Sequence, residues 1–321
     1  MNNRKKIIQT AIDVVKNEQD AVEHLLSAVN EDFVSAVEMV FNAQGRVIVT
    51  GIGKSAIIAH KIVATFNSTG TPAIFMHAAD AIHGDIGIVR KEDIIIVLSK
   101  SGETPEIKVL IPLLKARKNR LIALVGNTSS YLARQADLIL DATVEKEACP
   151  NNLVPTSSTT AQLVLGDALA ISLLELKGFT ASDFAKFHPG GALGKRMFLH
   201  VDDLSVNNQV PQVDIDEQMD KVIIEMTSKR LGVTAVLEKG ELVGLITDGD
   251  LRRMIQKYPD YHALKARDAM TEKPQTIQHD ALVVNALSNM RENNITQLPV
   301  LNGNKYVGVI HLHDILNEGI F

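Results

Sequence analysis

The feature that most constrains the fold of this chain is a series of short runs rich in Val, Ile and Leu, separated by segments with helical periodicity. The runs predict strands over residues 47–50, 73–76, 94–98, 121–125 and 138–140, with helices over 55–66 and 105–118 among others. Strands that alternate with helices form right-handed crossovers, which produce a parallel sheet covered by helices on both faces. The sequence therefore predicts an α/β fold with five parallel strands in its first half.

The charge and cysteine content of the chain limit its partners and its compartment. Its 321 residues are enough for two or three domains, and its formal net charge of −5 offers no overall basic field for nucleic acid or anionic membranes. The one cysteine, Cys149, excludes an internal disulfide and is typical of a reducing compartment. Charged residues at positions 13, 16, 18 and 20 interrupt the N-terminal segment, which therefore resembles neither a signal peptide nor a membrane span. We expect a cytoplasmic protein that binds no nucleic acid and no membrane.

Two turns rich in glycine and hydroxyl residues follow predicted strands. One is Ser99-Lys-Ser-Gly-Glu-Thr104, after the third strand, and the other is Gly51-Ile-Gly-Lys-Ser55, after the first. Both lie at the carboxyl edge of the sheet, where ligands bind in open α/β folds. Unpaired N–H groups at a helix start, together with hydroxyl donors, bind a dianion without a basic surface. We predict a phosphate site formed by Ser55, Ser99, Ser101 and Thr104, with an ordinary capped turn between strand and helix as the alternative.

The 51–55 turn matches two nucleotide-binding motifs only in part. A Walker A loop needs a glycine at position 48, where Ile48 lies inside the predicted strand. The dinucleotide fingerprint needs an acidic residue at the end of the second strand, which reads Phe75-Met-His77. Lys54 is instead predicted to neutralise developing enolate charge or to hold a substrate oxygen, and a solvated lysine at the helix start is the alternative.

Several titratable side chains stand near glycine or proline in predicted loops, where functional groups are often placed. His83, Glu147 and His188 are candidates of this kind, and a solvated loop residue is the alternative for each. Glu106 lies just inside the helix predicted after the third strand, as either a dipole-compensating carboxylate or a catalytic base. His77 and His83 can approach a divalent cation, but their spacing matches no standard zinc motif, so we expect no required metal.

The last third of the chain repeats itself, with Asp250 and Asp314 placed 64 positions apart (314 − 250). The other aligned pairs at this offset are Met226 and Met290, Val236 and Val300, and Gly244 and Gly308. Each copy reads as a helix, a strand, a turn, a strand and the start of an acidic helix. Because each unit is small for an independent core, we expect a pseudo-symmetric pair that buries its sheets against one another.

Taken together, these segments resemble a sugar isomerase (SIS) domain followed by two cystathionine-β-synthase-type (CBS) modules, the arrangement of bacterial D-arabinose 5-phosphate isomerases. The runs that carry the resemblance are 51–55, 68–72, 83–85, 99–103, 146–150, 155–160 and 188–194. The resemblance implies N-terminal helices over 1–36, a flavodoxin-like SIS domain over 37–180 and a linker with the His-Pro-Gly-Gly loop over 181–204. It further implies tandem α+β CBS modules over 205–263 and 268–321.

The same resemblance implies reversible interconversion of D-ribulose 5-phosphate and D-arabinose 5-phosphate by a homotetramer without a required cofactor. The product would feed synthesis of the lipopolysaccharide sugar Kdo, or the enzyme would serve a sugar-alcohol pathway. The resemblance assigns catalytic relevance to Lys54, Glu106, Glu147 and His188, places Gly70, Thr71 and His83 near substrate, and associates His77 with an inhibitory zinc ion. Another SIS isomerase is one alternative. A sugar-phosphate-sensing regulator is a second, although residues 1–45 show no basic helix-turn-helix.

Isomerisation of a 2-ketose moves a proton between C1 and C2 through a cis-enediol, so it needs a base and a group that stabilises the oxyanion. On this hypothesis Glu106 or Glu147 shuttles the proton, and Lys54 stabilises the enediolate. His188 relays hydroxyl protons or aids ring opening. The residues leave open which of the two carboxylates is the base.

The two C-terminal repeats resemble regulatory modules in which a Thr/Ser-x-x-Asp sequence holds the ribose and phosphate of a nucleotide. The first copy complies with Thr247 and Asp250, whereas the second has His311 in place of the hydroxyl residue before Asp314. The resemblance thus implies a nucleotide or nucleotide-sugar effector, but the second copy weakens the case for two equivalent sites. A structural or oligomerising pair is the alternative.

Overall fold

The computed structural model describes residues 2–258 and 260–321, and the chain divides into two compact units between Phe187 and His188. The first unit contains the α/β sheet, and the second contains the repeat. Each unit has its own clusters of buried apolar side chains.

The first unit begins with helices and continues as an alternation of strands and helices. Its helices are α1 (Asn2–His24), α2 (Glu31–Phe41), α3 (Lys54–Ser68), α4 (Ala78–Ala81), α5 (Pro105–Ala116), α6 (Tyr131–Gln135), α7 (Ser157–Leu176) and α8 (Ala181–Phe187). Its strands are β1 (Val47–Gly51), β2 (Ala73–His77), β3 (Ile94–Ser99), β4 (Arg120–Val125) and β5 (Leu138–Asp141). Short 3₁₀ turns lie at Leu25–Ala28 and Asp85–Ile88. Pro105 occupies the first turn of α5, where its missing N–H group costs no helical hydrogen bond.

The five strands are parallel and follow the order β2-β1-β3-β4-β5. This is the flavodoxin-like order, so the predicted fold class is confirmed. The chain leaves β1 toward one side of the sheet and β3 toward the other, which creates a topological switch point between the carboxyl ends of these two strands. Strand β3 is buried along its whole length, as its continuous apolar run requires.

Helices cover both faces of the sheet and bury a separate apolar cluster on each. On one face α3 packs so closely against α7 that a Cβ at Gly166 would lie only 2.3 Å from the Cδ1 atom of Ile62. On the other face α5 buries Ile107, Leu110 and Leu114 completely. Burial of each such side chain contributes about 1.5–3 kcal/mol to the free energy of unfolding. The helices are therefore held firmly on the sheet, and their N-termini have fixed positions.

Helix α7 is the one described helix that is long and apolar enough by composition to cross a membrane. Its apolar residues have a role inside the folded unit, because Ala161, Leu165, Leu169 and Leu173 are buried in the core. The helix packs against α1, α2 and α3. A helix with partners on several sides needs apolar residues around most of its surface, which explains its composition.

The second unit contains short helices and a mixed sheet. Its helices are α9 (Ala192–Phe198), α10 (Val201–Ser205), α11 (Met219–Lys229), α12 (Asp248–Lys257), α13 (Ala266–Ala269), α14 (Val283–Glu292) and α15 (Leu312–Asn317), with a 3₁₀ turn at Tyr261–Ala263. Its strands are β6 (Gln212–Asp214), β7 (Val233–Glu238), β8 (Glu241–Thr247), β9 (Thr271–Glu272), β10 (Ile277–Gln278), β11 (Gln297–Asn302) and β12 (Lys305–His311).

The two copies of the repeat fold alike, and their helices and hairpins keep the 64-residue offset, with β7 and β8 matching β11 and β12. Each hairpin carries a register shift at the same place, between Val236 and Leu237 in the first copy and between Val300 and Leu301 in the second. The repeat predicted from the sequence is therefore present in the structure.

The copies bury apolar side chains of their strands against one another, as the repeat predicts, and their strands also pair directly. Strand β8 pairs with β12 at Glu241 and Lys305, so the strands form one continuous mixed sheet. The buried hydroxyl of Tyr306 donates a hydrogen bond to the Pro211 carbonyl at 2.9 Å, and burial raises the pKa of Tyr306 well above its usual range. Apolar side chains of both copies surround Tyr306. The second copy thus completes the core of the first.

Candidate active site

A cavity of about 280 Å³ opens at the switch point between the carboxyl ends of β1 and β3. Its lining residues are Ile52, Lys54, Ser55, Leu98, Ser99, Lys100, Ser101, Thr104, Pro155, Ser158 and Thr159. Lys54 and Ser55 begin α3, and Thr104 is the residue before α5. Ser158 and Thr159 lie in the first turn of α7. Three helix N-termini therefore bring their positive dipole ends to one cavity, an arrangement that suits a dianion.

The turn between β3 and α5 is held in one conformation by its own hydroxyl groups. The Ser99 hydroxyl accepts a hydrogen bond from the Gly102 N–H at 3.0 Å and lies 3.4 Å from the Thr104 hydroxyl. Gly102 has a φ of +63°, and a Cβ there would lie 2.0 Å from the Oγ atom of Ser130. Any other residue at Gly102 would displace the turn. Ser99, Ser101 and Thr104 therefore line the cavity on a turn of fixed conformation.

Glycine also shapes the start of α3. A Cβ at Gly51 would lie 3.1 Å from the carbonyl carbon of Ser55, so the strand end and the helix start approach closely. The Ser55 hydroxyl donates to the Oε1 atom of Gln162, a buried residue of α7, at 3.1 Å. Lys54 is exposed at the cavity and makes no ion pair or hydrogen bond with the described part of the chain. Its ammonium therefore adds net positive charge to the site.

Glu147 is a fully buried carboxylate whose partners form the wall of the cavity. Its Oε1 atom is 2.6 Å from the Nζ atom of Lys100 and accepts a hydrogen bond from the Ser158 hydroxyl at 2.5 Å. The N–H groups of Thr156 and Ser158 donate to Oε2 at 2.8 and 3.2 Å. Burial raises the pKa of Glu147, but the Lys100 ammonium and these donors outweigh burial and hold the pKa at about 2. Glu147 is thus an ionised carboxylate at the start of α7, where the helix dipole favours negative charge.

Glu106 has the opposite surroundings. It is the second residue of α5, after Pro105, and its Oε2 atom is buried without a hydrogen-bond partner in the described part of the chain. A carboxylate oxygen that accepts no hydrogen bond keeps its lone pairs for a proton. Glu106 does not line the 280 Å³ cavity, although Thr104, two residues earlier, does. It therefore lies beside the anion site and not inside it.

The two histidines of the second strand and its following loop lie at the same edge of the sheet. His77 ends β2 beside Gly51 of β1, and His83 is exposed in the loop after α4. The Nδ1 atom of His77 is buried, makes no hydrogen bond with any residue that the structure describes and lies 3.5 Å from the Oδ2 atom of Asp80. Within residues 2–258 and 260–321, no three His, Cys, Asp or Glu side chains form a metal-binding group.

Gly70 and Thr71 lie at the opposite edge of the sheet from the cavity, because they precede β2 whereas the cavity residues follow β1 and β3. The Thr71 hydroxyl accepts a hydrogen bond from the Nζ atom of Lys177 at 2.7 Å. Gly70 has a φ of +78°, and a Cβ there would lie 2.8 Å from the Phe179 ring. The structure therefore gives both residues a packing role and does not bring them together with the other predicted substrate contacts of the same chain.

His188 is the first residue of the second unit. It lies in the turn before α9, where a Cβ at Gly194 would lie 2.3 Å from the His188 carbonyl oxygen. The other predicted catalytic residues, Lys54, Glu106 and Glu147, belong to the first unit. The first unit thus provides the anion cavity and both carboxylates.

The first copy of the repeat presents the predicted regulatory residues beside a second cavity, of about 780 Å³. The N–H and hydroxyl groups of Thr247 donate to the Oδ2 atom of Asp250 at 2.9 and 2.7 Å, which closes a capping box at the start of α12. Thr247 and Asp250 line the cavity together with the basic residues Arg252, Arg253 and Lys273. The cavity therefore combines hydroxyl, acidic and basic groups.

In the second copy Asp314 corresponds to Asp250, and its carboxylate accepts a hydrogen bond from the side chain of Asn208. The side-chain amide of Asn208 donates to the Oδ2 atom of Asp314 at 2.7 Å and to the Val309 carbonyl at 3.0 Å. His311 replaces the hydroxyl residue, and its Nδ1 atom accepts a hydrogen bond from the His313 N–H at 3.0 Å. Burial lowers the pKa of His311, which favours the neutral ring that this acceptor role requires. The two copies thus share a fold but not the same chemical groups.

The sequence analysis missed three polar residues of the first cavity, namely Lys100, Ser158 and Thr159. Lys100 lies between two of the predicted contacts, and Ser158 and Thr159 belong to the hydroxyl-rich start of a predicted helix. A helix start with several hydroxyl groups indicates an anion site as the two earlier turns do. What the sequence did not reveal is the path of the segment between β5 and α7, which returns to β3.

Comparison with protein families matches an SIS domain over residues 39–172 and CBS domains over residues 201–257 and 266–320. The chain is similar to arabinose 5-phosphate isomerase KdsD of Pseudomonas aeruginosa, with 46% identity over 323 aligned residues that cover 100% of this chain and 99% of the relative. It is also similar to arabinose 5-phosphate isomerase KdsD of Escherichia coli K12, with 42% identity over 314 residues that cover 97% of this chain and 96% of the relative.

Two solved structures resemble the α/β part of the chain. An Escherichia coli CFT073 protein in complex with arabinose 5-phosphate has 43% sequence identity and a TM-score of 0.57, and the match covers 59% of this chain and 100% of that protein. A sugar-phosphate isomerase candidate from Listeria monocytogenes has 34% identity and a TM-score of 0.56, with 58% of this chain and 97% of that chain covered.

Proposed function

The chain belongs to the arabinose 5-phosphate isomerase KdsD family, and from that premise we propose that it interconverts D-ribulose 5-phosphate and D-arabinose 5-phosphate. The observation that carries the proposal is the cavity at which the starts of α3, α5 and α7 meet, lined by hydroxyl groups and Lys54. Such a cavity binds the phosphate dianion of a small substrate. The relative solved in complex with arabinose 5-phosphate supports this class of substrate.

The phosphate group and the reacting carbons lie at opposite ends of the substrate, and the site has residues suited to each end. The phosphate is attached to C5, whereas the proton moves between C1 and C2 at the far end of the sugar. A base for C1 and C2 must therefore lie beside the phosphate cavity and not in its wall. The carbon skeleton gains and loses no electrons overall, so the chemistry requires a base, an acid and oxyanion stabilisation but no redox cofactor.

Glu106 is the proposed base. Its buried Oε2 atom accepts no hydrogen bond in the described part of the chain, and Glu106 lies two residues beyond Thr104, which lines the cavity. Glu147 is the less suitable carboxylate, because donors surround it and hold its pKa at about 2. An efficient general base at neutral pH has a pKa nearer to 7.

The remaining predicted residues take the roles that the family resemblance implies. Lys54 contributes the positive charge that the phosphate and the enediolate require, and His188 moves protons on the substrate hydroxyls. His83 lies at the carboxyl edge of the sheet and is proposed to contact the sugar. D-Arabinose and D-ribose 5-phosphates differ only in configuration at C2, so the enzyme must deliver the returning proton to one face of the planar enediol.

Several wider properties belong to the same proposal. We infer a cytoplasmic homotetramer that supplies Kdo and lipopolysaccharide synthesis, with an inhibitory zinc ion at His77 and a nucleotide or nucleotide-sugar effector at Thr247 and Asp250. The exposed apolar side chains of α1 support an oligomer, since Ile7 and Val15 are 69% and 67% exposed. The basic residues around Thr247 support a phosphate-bearing effector.

The test is incubation of the purified protein with D-ribulose 5-phosphate in D₂O, followed by ¹H NMR. We expect D-arabinose 5-phosphate with deuterium at C2, because an enediol takes its new proton from a base that exchanges with solvent. Formation of D-ribose 5-phosphate, or turnover of a ketose phosphate of another chain length in place of D-ribulose 5-phosphate, would identify a different SIS isomerase. Absence of any product from a panel of ketose 5- and 6-phosphates would reject an isomerase function.

A further inference from the structure

Lys100 lies in the wall of the phosphate cavity, between the two serines of the turn that follows β3. Its Nζ atom is 2.6 Å from the Oε1 atom of Glu147, whose side chain is fully buried, whereas the Lys100 side chain is 43% exposed. An ammonium group carries three protons, and one of them serves this ion pair. Among the residues that the structure describes, no second acceptor contacts this ammonium, so its other two protons remain for a ligand in the cavity.

The backbone and stem of Lys100 are fixed as well as its tip. The N–H group of Gly126 donates to the Lys100 carbonyl at 3.1 Å. A Cβ at Gly126 would lie 2.9 Å from that carbonyl oxygen and 3.5 Å from the Cγ atom of Lys100, so glycine leaves room for the lysine stem. A free lysine loses rotamer entropy when it binds an anion, and a lysine that is already held at both ends loses less.

Glu147 lies at the phosphate end of the site. Its partners Lys100 and Ser158 both line the cavity, whereas proton transfer takes place at C1 and C2. Because Lys100, Ser158 and Thr156 all donate to it, Glu147 remains ionised through the neutral pH range and is a weak base. Glu147 therefore acts on a bound phosphate indirectly, by holding the Lys100 ammonium.

We propose that Lys100 is a substrate-binding residue that donates hydrogen bonds to the phosphate group, and that Glu147 is a positioning residue that holds the Lys100 ammonium at the cavity wall. The identity of the sugar rests on the proposed function, but the binding of a phosphate group does not. Lys54 and Lys100 then have different tasks. Lys54 supplies net charge, whereas Lys100 supplies directed donors, because the adjacent carboxylate cancels most of its charge at a distance.

The first test is Lys100→Met, which keeps the stem and removes the ammonium. We expect the KM for D-ribulose 5-phosphate and the inhibition constant of inorganic phosphate to rise together by roughly 10- to 100-fold, while kcat changes by less than about threefold. A ³¹P NMR titration with inorganic phosphate should show the same loss of affinity without any turnover.

Lys108→Met is the matched control. Lys108 also pairs with a glutamate at 2.6 Å, but this pair with Glu103 is exposed on both sides, at 46% and 40%, and lies outside the cavity. Exposed ion pairs contribute little, so KM and phosphate inhibition should stay within about twofold of the wild-type values. Equal increases in both variants would reflect a general loss of positive charge and would overturn a specific contact.

A second variant keeps the proposal testable if Lys100→Met folds poorly, since that change leaves the Glu147 carboxylate buried without its cation. The double variant Lys100→Met with Glu147→Gln removes both charges together. If Glu147 acts through Lys100, Glu147→Gln alone raises KM, but adding it to Lys100→Met changes KM and kcat by less than about twofold.

Two results would overturn the proposal. A further loss of kcat by more than about 100-fold when Glu147→Gln is added to Lys100→Met would make Glu147 a catalytic residue. An unchanged affinity for inorganic phosphate in the folded Lys100→Met or double variant would remove Lys100 from the binding site. If the wild-type protein does not convert D-ribulose 5-phosphate, the proposed function fails, but the phosphate titration still decides the role of Lys100.

Discussion

The start of α5 and the loop before α7 each carry a glutamate close to the same cavity, and the two side chains have opposite surroundings. Glu106 has a buried oxygen without a hydrogen bond in the described part of the chain, whereas both oxygens of Glu147 accept several. At Glu147 the donors outweigh the desolvation that burial causes and lower the pKa of the carboxyl group. The same residue type therefore serves proton transfer in one place and electrostatic support in the other.

The difference also explains why two such groups can lie near one anion. A carboxylate that faced the phosphate without a cation would repel it, but the Lys100 ammonium stands between Glu147 and the cavity. Glu106 avoids the same repulsion by lying outside the cavity lining. The comparison predicts that substitutions of Glu106 mainly lower turnover, whereas substitutions of Glu147 mainly lower stability.

The largest expected effect is that of Glu106→Gln on turnover. Loss of a general base should lower kcat by about 10²–10⁴-fold with little change in KM. The amide has nearly the same shape, so the thermal midpoint should change little. Steady-state kinetics with D-ribulose 5-phosphate checks the first point, and calorimetry of the same sample checks the second. A variant that retains more than half of the wild-type kcat would remove Glu106 from the mechanism.

Glu147→Ala should have the largest effect on stability. The change leaves the N–H groups of Thr156 and Ser158 without their acceptor, and each unsatisfied buried group costs about 1–3 kcal/mol. We expect a total loss of about 3 kcal/mol, measured by urea unfolding. Glu106→Ala is the matched change, and it should cost less than about 1 kcal/mol because the unpaired oxygen has no hydrogen bond to lose. Equal losses would mean that the two surroundings do not differ energetically.

The pH dependence of stability should report on the ion pair and hydrogen bonds of Glu147. The pKa of Glu147 is lowered from 4.5 to about 2 in the folded chain, so the ionised carboxylate stabilises the fold above pH 4.5. This contribution, at most about 3 kcal/mol, is lost as the pH falls from about 5 toward 2. Urea unfolding of the wild type and of Glu147→Gln at pH 6 and pH 3.5 measures it. The stability difference between the two proteins should shrink at the lower pH, and a constant difference would contradict the assignment.

Cys149→Ala should have the smallest effect. Its Sγ atom accepts hydrogen bonds from the exposed N–H groups of Leu153 and Val154 at 3.1 Å in the same loop as Glu147. These groups can bond to water when the sulfur is removed, so the cost should stay below about 1 kcal/mol and KM should be unchanged. A rise in KM comparable to that of Glu147→Gln would show that the loop as a whole, and not its carboxylate, positions Lys100.

The parallel sheet and the anion site could be predicted because each rests on local patterns. The buried run of β3 is continuous in sequence, and the hydroxyls of Ser99, Ser101 and Thr104 follow it directly. The contact between Lys100 and Glu147 could not be predicted, since it joins two loops 47 residues apart (147 − 100) through the path of the chain after β5. For the same reason the sequence left Glu106 and Glu147 equivalent, as only their distant partners distinguish them.

The positions of Gly70 and Thr71 give a different lesson. Their order in the chain already places them before β2, at the amino edge of a parallel sheet, whereas residues that follow strands reach the carboxyl edge. A family resemblance assigns roles to residues by their place in the sequence, and it does not require those residues to lie at the same edge of the sheet. The topology alone therefore separates them from the contacts of Ser55 and Ser99 in the same chain.

The hydrogen bond from the Tyr306 hydroxyl to the Pro211 carbonyl limits how this duplicated region can be divided. A chain that ended after the first copy would leave Val233, Ala235 and Leu245 without the side chains that cover them. Deletion of one copy, or its exchange for a module from another protein, should therefore unfold its neighbour. The pair of copies, and not the single copy, is therefore the smallest unit of this region that we expect to fold.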